Sequence, residues 1–203
     1  MKNLPKSILV IGTDYTGKTS LIESINKELV RRGHEVIVNK NDLFKSGIYA
    51  KAEEMMKNDW EENELIINAL LAMAFFVDAE KYELDENKIL LQDSYFFRTM
   101  AFCDAYEIPY ITDLLKKYQS QLFSFDCVIL LSASNEEKMK RLRQGQDLFD
   151  EDILTNHELS KKMDDSLEKY VKTSKNFIHI NTTNLSLNEV FEKAMNFIDG
   201  GLK

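Results

Sequence analysis

Short apolar runs and longer amphipathic stretches alternate along the whole chain. The apolar runs lie in SILVIG (7–12), HEVIVNKN (34–41), NKILLQD (87–93), FDCVILLSAS (125–134) and NFIHINTT (176–183). Each is strand-length, rich in β-branched residues and followed by polar or turn-forming residues, as strands buried on both faces require. The stretches between them have helical spacing. KTSLIESINKELVRRG (18–33) places Leu21, Ile22, Ile25 and Leu29 on one face and stops at Gly33. A long helical region spans 45–81; its LIINALLAMAFF portion is almost wholly apolar, which predicts either a buried helix or a face for a second copy. Helical stretches at 98–109 and 110–122 separate near Pro109, and a charged one, NEEKMKRLRQGQ, should stop at Gly145. HELSKKMDDSLEKYVKTS carries Leu159, Met163, Leu167 and Tyr170 at helical spacing, and SLNEVFEKAMNFIDG forms the last helix. Strands that alternate with helices predict an α/β fold: a five-stranded parallel sheet with right-handed crossovers and helices on both faces.

Composition narrows the setting. A chain of 203 residues predicts a single domain with a substantial core. Its formal net charge of −8 argues against broad nucleic-acid binding, so no nucleic-acid partner is expected. No apolar stretch is long enough for a membrane span, and the first apolar run leads into a glycine loop rather than a cleavage site, so neither a membrane partner nor a signal peptide is expected. Cys103 and Cys127 are far apart and lack metal-site spacing; they read as reduced thiols of a cytoplasmic protein.

The first chemistry lies between the first strand and the first helix. GTDYTGKTS, comprising Gly12, Thr13, Asp14, Tyr15, Thr16, Gly17, Lys18, Thr19 and Ser20, fits the spacing G-x-x-x-x-G-K-[ST] of a phosphate-binding loop. The glycines let successive backbone N–H groups face a phosphate, Lys18 reaches the β- and γ-phosphates, and Thr19 places a hydroxyl on Mg²⁺. The helix that follows adds its N-terminal dipole. ATP and Mg²⁺ are the expected cofactors, and strand–loop–helix is the context the motif requires.

Other features bear on what the phosphate is passed to. NKND (39–42) matches the guanine-reading N-K-x-D, but it follows the second strand, where it cannot reach the base of a nucleotide held by Lys18. Asn39, Lys40 and Asp42 read instead as acceptor-site candidates or as a solvated polar turn. Asp93 closes the third strand, where a carboxylate serves the Mg²⁺ shell or accepts a hydroxyl proton, unless it caps the next helix. Arg141 and Arg143 precede a glycine and an acidic loop, and read as lid cations for the transferring phosphoryl group or as a solvated helical face.

With these elements in order, the chain resembles the thymidylate kinase family of nucleoside monophosphate kinases. GTDYTGKTS is similar to the family's G-x-D-x-x-G-K-[ST]-[ST], DSYFFRTMAF (93–102) to D-R-Y-x-x-S-x-x-A-[YF], AFFVDAEKY to F-x-A-D-R-x-x-H, and RLRQGQDLFDED to the lid segment. The resemblance implies the P-loop fold with strand order 2-3-1-4-5, a lid at about 141–155 and transfer of the ATP γ-phosphate to a dTMP-like nucleoside monophosphate. With the loop chemistry it assigns Lys18, Arg141, Arg143, Asp93 and Asp14 to catalysis, Thr19 and Asp93 to the metal, and Asp14, Phe75, Tyr95 and Phe102 to the acceptor; Lys40 and Arg98 join the acceptor residues from their own positions, outside the family's pattern. The aromatic members are candidates for stacking a planar acceptor, or core residues. The family's acceptor-phosphate Arg is Ser94 here, its base-side Arg is Ala79, the Gln that reads thymine is Cys103, and the lid's second-motif Arg is Leu148. Arg98 and Lys40 are the cations placed to compensate. The departures keep open a kinase of an unphosphorylated nucleoside or other small molecule, an ATP-binding regulator without transfer, and an ATPase working in an assembly. Related kinases are commonly homodimers, so a homodimer is a further expectation.

Overall fold

The computed structural model describes residues 4–142 and 155–200, with residues 59–61 described by backbone alone. In chain order the elements are β1 (Ser7–Ile11), α1 (Lys18–Arg31), β2 (Val36–Lys40), α2 (Ile48–Lys81), β3 (Ile89–Asp93), α3 (Phe96–Ala105), α4 (Pro109–Tyr118), β4 (Cys127–Ser132), α5 (Asn135–Leu142), α6 (His157–Val171), β5 (Phe177–Asn181) and α7 (Leu187–Asp199). The five strands form one parallel sheet in the order β2-β3-β1-β4-β5.

Side-chain alternation along the strands explains the layers. Leu9 and Ile11 of β1, Leu90 of β3, and Val128 and Leu130 of β4 face one way and pack with residues of α2, α3, α4 and α6. Ile8, Val10, Leu91, Ile129 and Leu131 face the other way, onto Leu21, Ile22, Ile25 and Leu29 of α1 and Val190, Ala194, Met195 and Ile198 of α7. The central strand β1 is wholly buried, so its carboxyl end delivers the glycine loop to one fixed place.

Two expectations need correction. LIINALLAMAFF is not a buried helix throughout. Ile67, Leu71, Ala72, Ala74 and Phe75 are buried, whereas Leu65, Ile66 and Met73 are more than half exposed. At helical spacing an all-apolar run must present some residues outward unless it is covered on every side. Asp93 also does not cap α3: the cap position is Tyr95, whose side chain makes no capping bond. Arg143, Gly145 and most of the expected lid lie outside the described residues, as does the expected stop of the charged helix; α5 is described to Leu142.

Candidate active site

Local backbone chemistry shapes the glycine loop. A Cβ on Gly12 would stand 2.5 Å from the Leu131 carbonyl oxygen and 2.6 Å from Thr16 Oγ1, so only glycine lets the loop lie this close to β4. Gly17 has φ +96°, a conformation open to glycine at little cost, and α1 begins at the next residue. Inside the loop the Thr13 carbonyl accepts from Lys18 Nζ at 2.8 Å and from Thr16 Oγ1 at 2.8 Å. Thr19 and Ser20 are exposed at the start of α1.

Charge is concentrated beside the loop. Asp14 forms ion pairs with Arg98 of α3 and, at 3.6 Å, with Lys18. Burial works to raise the Asp14 carboxyl, but Arg98, Lys18 and Lys40 together hold it below its ordinary value. Lys18 is pushed below the ordinary lysine value, chiefly by burial and further by Arg98, against the pull of Asp14 and Asp93. Asp93 sits at the carboxyl end of β3, in register with Val10 of β1 and Lys40 of β2.

A cavity of about 180 Å³ opens past the ends of β2 and β3, lined among others by Lys40, Phe75, Tyr95, Arg98 and Phe102, and meets the loop through the Arg98–Asp14 pair. The structure thus brings the sequence-predicted acceptor residues together, with Asp14 reaching them through Arg98. Phe75 and Tyr95 are almost fully buried and meet edge to face with ring centroids 5.0 Å apart; they belong to the core as well as to the cavity wall. Ser94, at the position of the family's phosphate-holding Arg, lines the same cavity with a left-handed φ of 61°. Cys103 does not reach it: its thiol donates to Asn68 Oδ1 at 3.3 Å between two helices, both residues being fully buried. Asn39 and Asp42 are structural. Asn39 Nδ2 donates to Gln92 Oε1 (2.6 Å) and to the Asp42 carbonyl (3.0 Å), and Asp42 is buried against Lys45.

A second cavity, about 220 Å³, lies on the other side of the loop between Thr16, Gly17, Arg141, Thr182, Leu185 and Val190. Arg141 spans its edge, donating to the Tyr15 carbonyl (2.9 Å), to Thr182 Oγ1 (3.1 Å) and to the Thr182 carbonyl (3.2 Å), while Glu137 accepts from its Nε. A larger cavity of about 920 Å³ lies at the opposite ends of β4 and β5, beside Asp126 and Asn176. Ligands of open α/β sheets bind at the carboxyl ends of the strands, so the two smaller cavities are the relevant pair.

Several residues that organise the site escaped the sequence reading. Gln92, fully buried, donates to the Asn41 carbonyl (2.7 Å) and the Ser94 carbonyl (2.8 Å) and so ties the ends of β2 and β3 together. A polar residue in an otherwise apolar strand was the available signal. Asp78 of α2, the acid kept in the AFFVDAEKY resemblance, has a role the resemblance did not give: it accepts from the backbone N–H groups of Leu43 and Phe44 at 2.8 Å each and anchors the loop after β2. Tyr49 and Glu53 join the acceptor cavity, and Thr182 meets the phosphate loop; nothing in their spacing marked them.

The model of the thymidylate kinase family matches residues 10–194. The chain belongs to the thymidylate kinase family. As a member it is a nucleotide kinase. It is 26% identical over 197 residues to a probable thymidylate kinase of Sulfurisphaera tokodaii, covering 96% of each chain. A probable thymidylate kinase of Methanosphaera stadtmanae is also 26% identical, over 185 residues, covering 87% of this chain and 89% of that protein. Among solved structures, thymidylate kinase from Candida albicans superposes with a TM-score of 0.76 at 13% identity, covering 97% of this chain and 92% of its own. Deoxyadenosine kinase from M. mycoides, with dCMP and dCDP bound, gives 0.68 at 19% identity, covering 96% and 99%. These two likenesses show the shared P-loop kinase fold.

Proposed function

We propose that this kinase transfers the γ-phosphate of ATP to a nucleoside monophosphate of the dTMP class, in line across the glycine loop. The observation that carries the reading is the pair of cavities flanking one phosphate loop, with cations between them: Lys18 in the loop, and Arg98 and Lys40 toward the acceptor side. The side near Arg141, Leu185 and Val190 takes the donor nucleotide, since an apolar wall and a planar guanidinium suit a purine base. The Arg98 cavity takes the acceptor, whose phosphate replaces part of the Asp14 pairing of Arg98.

Thr19, in the first turn of α1, and Asp93, at the carboxyl end of β3, are hard oxygen ligands that would suit Mg²⁺. Among the described residues no group of three or more His, Cys, Asp or Glu side chains can hold a metal unaided, so phosphate oxygens and water complete such a shell. The bound Mg²⁺ supplies charge neutralisation at the phosphates. Lys18 and the loop amides hold the donor phosphates, and Asp14 and Asp93 position the acceptor. A phosphate oxygen needs no strong base, so positioning suffices. Arg143 belongs to the same reading as a lid cation.

Base selection differs from the family pattern, because Cys103 is locked against Asn68 rather than facing the cavity. The acceptor base is therefore held mainly by the walls of Tyr49, Phe75 and Phe102. No helix among the described residues is long and apolar enough to cross a membrane. The reading places the protein in the cytoplasm, as a single domain with no nucleic-acid partner. It also includes a homodimer through the outward apolar faces of α2 and α4, where Leu65, Ile66, Met73, Tyr110 and Leu114 are exposed.

ADP release with ATP and Mg²⁺, measured against nucleoside monophosphates and free deoxynucleosides, tests the proposal. Stimulation by a monophosphate, with an acceptor KM raised roughly tenfold or more in Arg98→Ala, is the expected result. Stimulation by free nucleosides alone would overturn it in favour of a nucleoside kinase.

A further inference from the structure

Beneath the glycine loop lies a charged network that the transfer reaction itself does not use. Lys138 of α5 has a fully buried side chain and is paired with Asp164 of α6. Asp164 Oδ2 takes the lysine, while its Oδ1 accepts from Thr13 Oγ1 at 2.7 Å. Thr13 is the residue whose carbonyl accepts from both Lys18 Nζ and Thr16 Oγ1. A chain of contacts therefore runs from a buried ammonium, through a carboxylate, to the hydroxyl and then the peptide that shapes the loop. Three residues beyond Lys138, Arg141 grips the next part of the loop at the Tyr15 carbonyl. The helix α5 thus holds the loop at two points, directly at Tyr15 and through Asp164 at Thr13.

An ion pair serving only to pack α5 against α6 has no need to leave one carboxylate oxygen on a loop hydroxyl. A buried lysine demands a counter-charge, and the position of that counter-charge is consequently fixed. The loop hydroxyl is bound to this fixed point by a charge-assisted hydrogen bond. We propose that Lys138 and Asp164 are positioning residues that set the phosphate loop for ATP by anchoring Thr13. The proposal rests on the reading of the loop as the ATP site, not on the identity of the acceptor.

The test is ATP affinity, measured by calorimetric titration with Mg·ATP and no acceptor, alongside the melting temperature. Thr13→Val keeps the volume and the ion pair but loses the hydroxyl; its ATP dissociation constant should rise roughly tenfold, the scale of a hydrogen bond to a charged group. Thr13→Ser should recover most of that loss. Lys138→Met combined with Asp164→Leu removes both charges and the oxygen that accepts from Thr13, strands neither charge, and should weaken ATP similarly. Adding Thr13→Val to that pair should cost little more. Variants that bind ATP within about twofold of the wild type while melting earlier would reduce the network to helix packing and overturn the proposal. So would a triple variant whose loss equals the product of its parts. Because no acceptor is present, failure of phosphoryl transfer in the wild type would reject the proposed function without touching this result.

Discussion

Lys18 is a buried cation that must remain charged to hold phosphate, and its surroundings pull in both directions. Burial and Arg98 disfavour the charge, whereas Asp14 and Asp93 sustain it. Lys18→Ala should lower turnover at least about a hundredfold, as expected for a charge aimed at the transferring group; ADP release checks this. Asp14 has the complementary role. Its folded-state pKa lies below the ordinary 3.8, so its charged form contributes stability above that value, and the contribution is lost as pH falls below it. The stability gap between wild type and Asp14→Asn should therefore be constant near neutrality and close as pH falls below about 3.8, which denaturant melts across pH would show. Lys18 was legible from the loop motif's spacing, and Asp14 from the family resemblance of GTDYTGKTS. The sequence could not show that Arg98 would reach Asp14 from α3, because that contact joins residues 84 apart in sequence.

At the scale of elements, apolar periodicity located the strands and helices well, since each side of the sheet needs a continuous apolar layer. The face presented by α2 was less legible. LIINALLAMAFF carries no polar stripe to mark the outward side, so only packing separates buried Ile67 and Phe75 from exposed Leu65 and Met73. That outward face leads to an expectation: Leu65→Glu with Met73→Glu should convert a homodimer into monomers, as read by sedimentation velocity. A dimer that survives both charges would place the interface elsewhere. The loop after β2 read equally as an acceptor site or as a polar turn. Its polar residues suggested acceptor contacts, yet Asn39 and Asp42 bond inward and Lys40 and Asn41 line the cavity. The backbone anchor is Asp78, whose carboxyl is pushed up, chiefly by burial, against the pull of its two backbone donors. Asp78→Ala strands those N–H groups and should destabilise the fold by about 1–3 kcal/mol in denaturant melts, with a raised acceptor KM.

Over the whole molecule, the sheet order places both cavities at the carboxyl ends of the strands, on either side of β1 and its loop. The donor side preserves the family's loop, and the acceptor side has exchanged its cations: Ser94 and Ala79 stand where arginines are expected, while Arg98 and Lys40 face the site. The fold was legible because it depends on periodicity, and the phosphate loop because backbone chemistry restricts its residues. The acceptor pocket was legible only through family likeness, since its walls come from several separate elements. In the proposed function, phosphate crosses this loop to a nucleoside monophosphate. The most direct measurement follows γ-labelled ATP with dTMP and other nucleoside monophosphates, using wild type and Lys18→Ala. Label appearing in a nucleoside diphosphate with the wild type, and not with Lys18→Ala, is the predicted result. Label that stays in ATP, or appears only as inorganic phosphate, would contradict it.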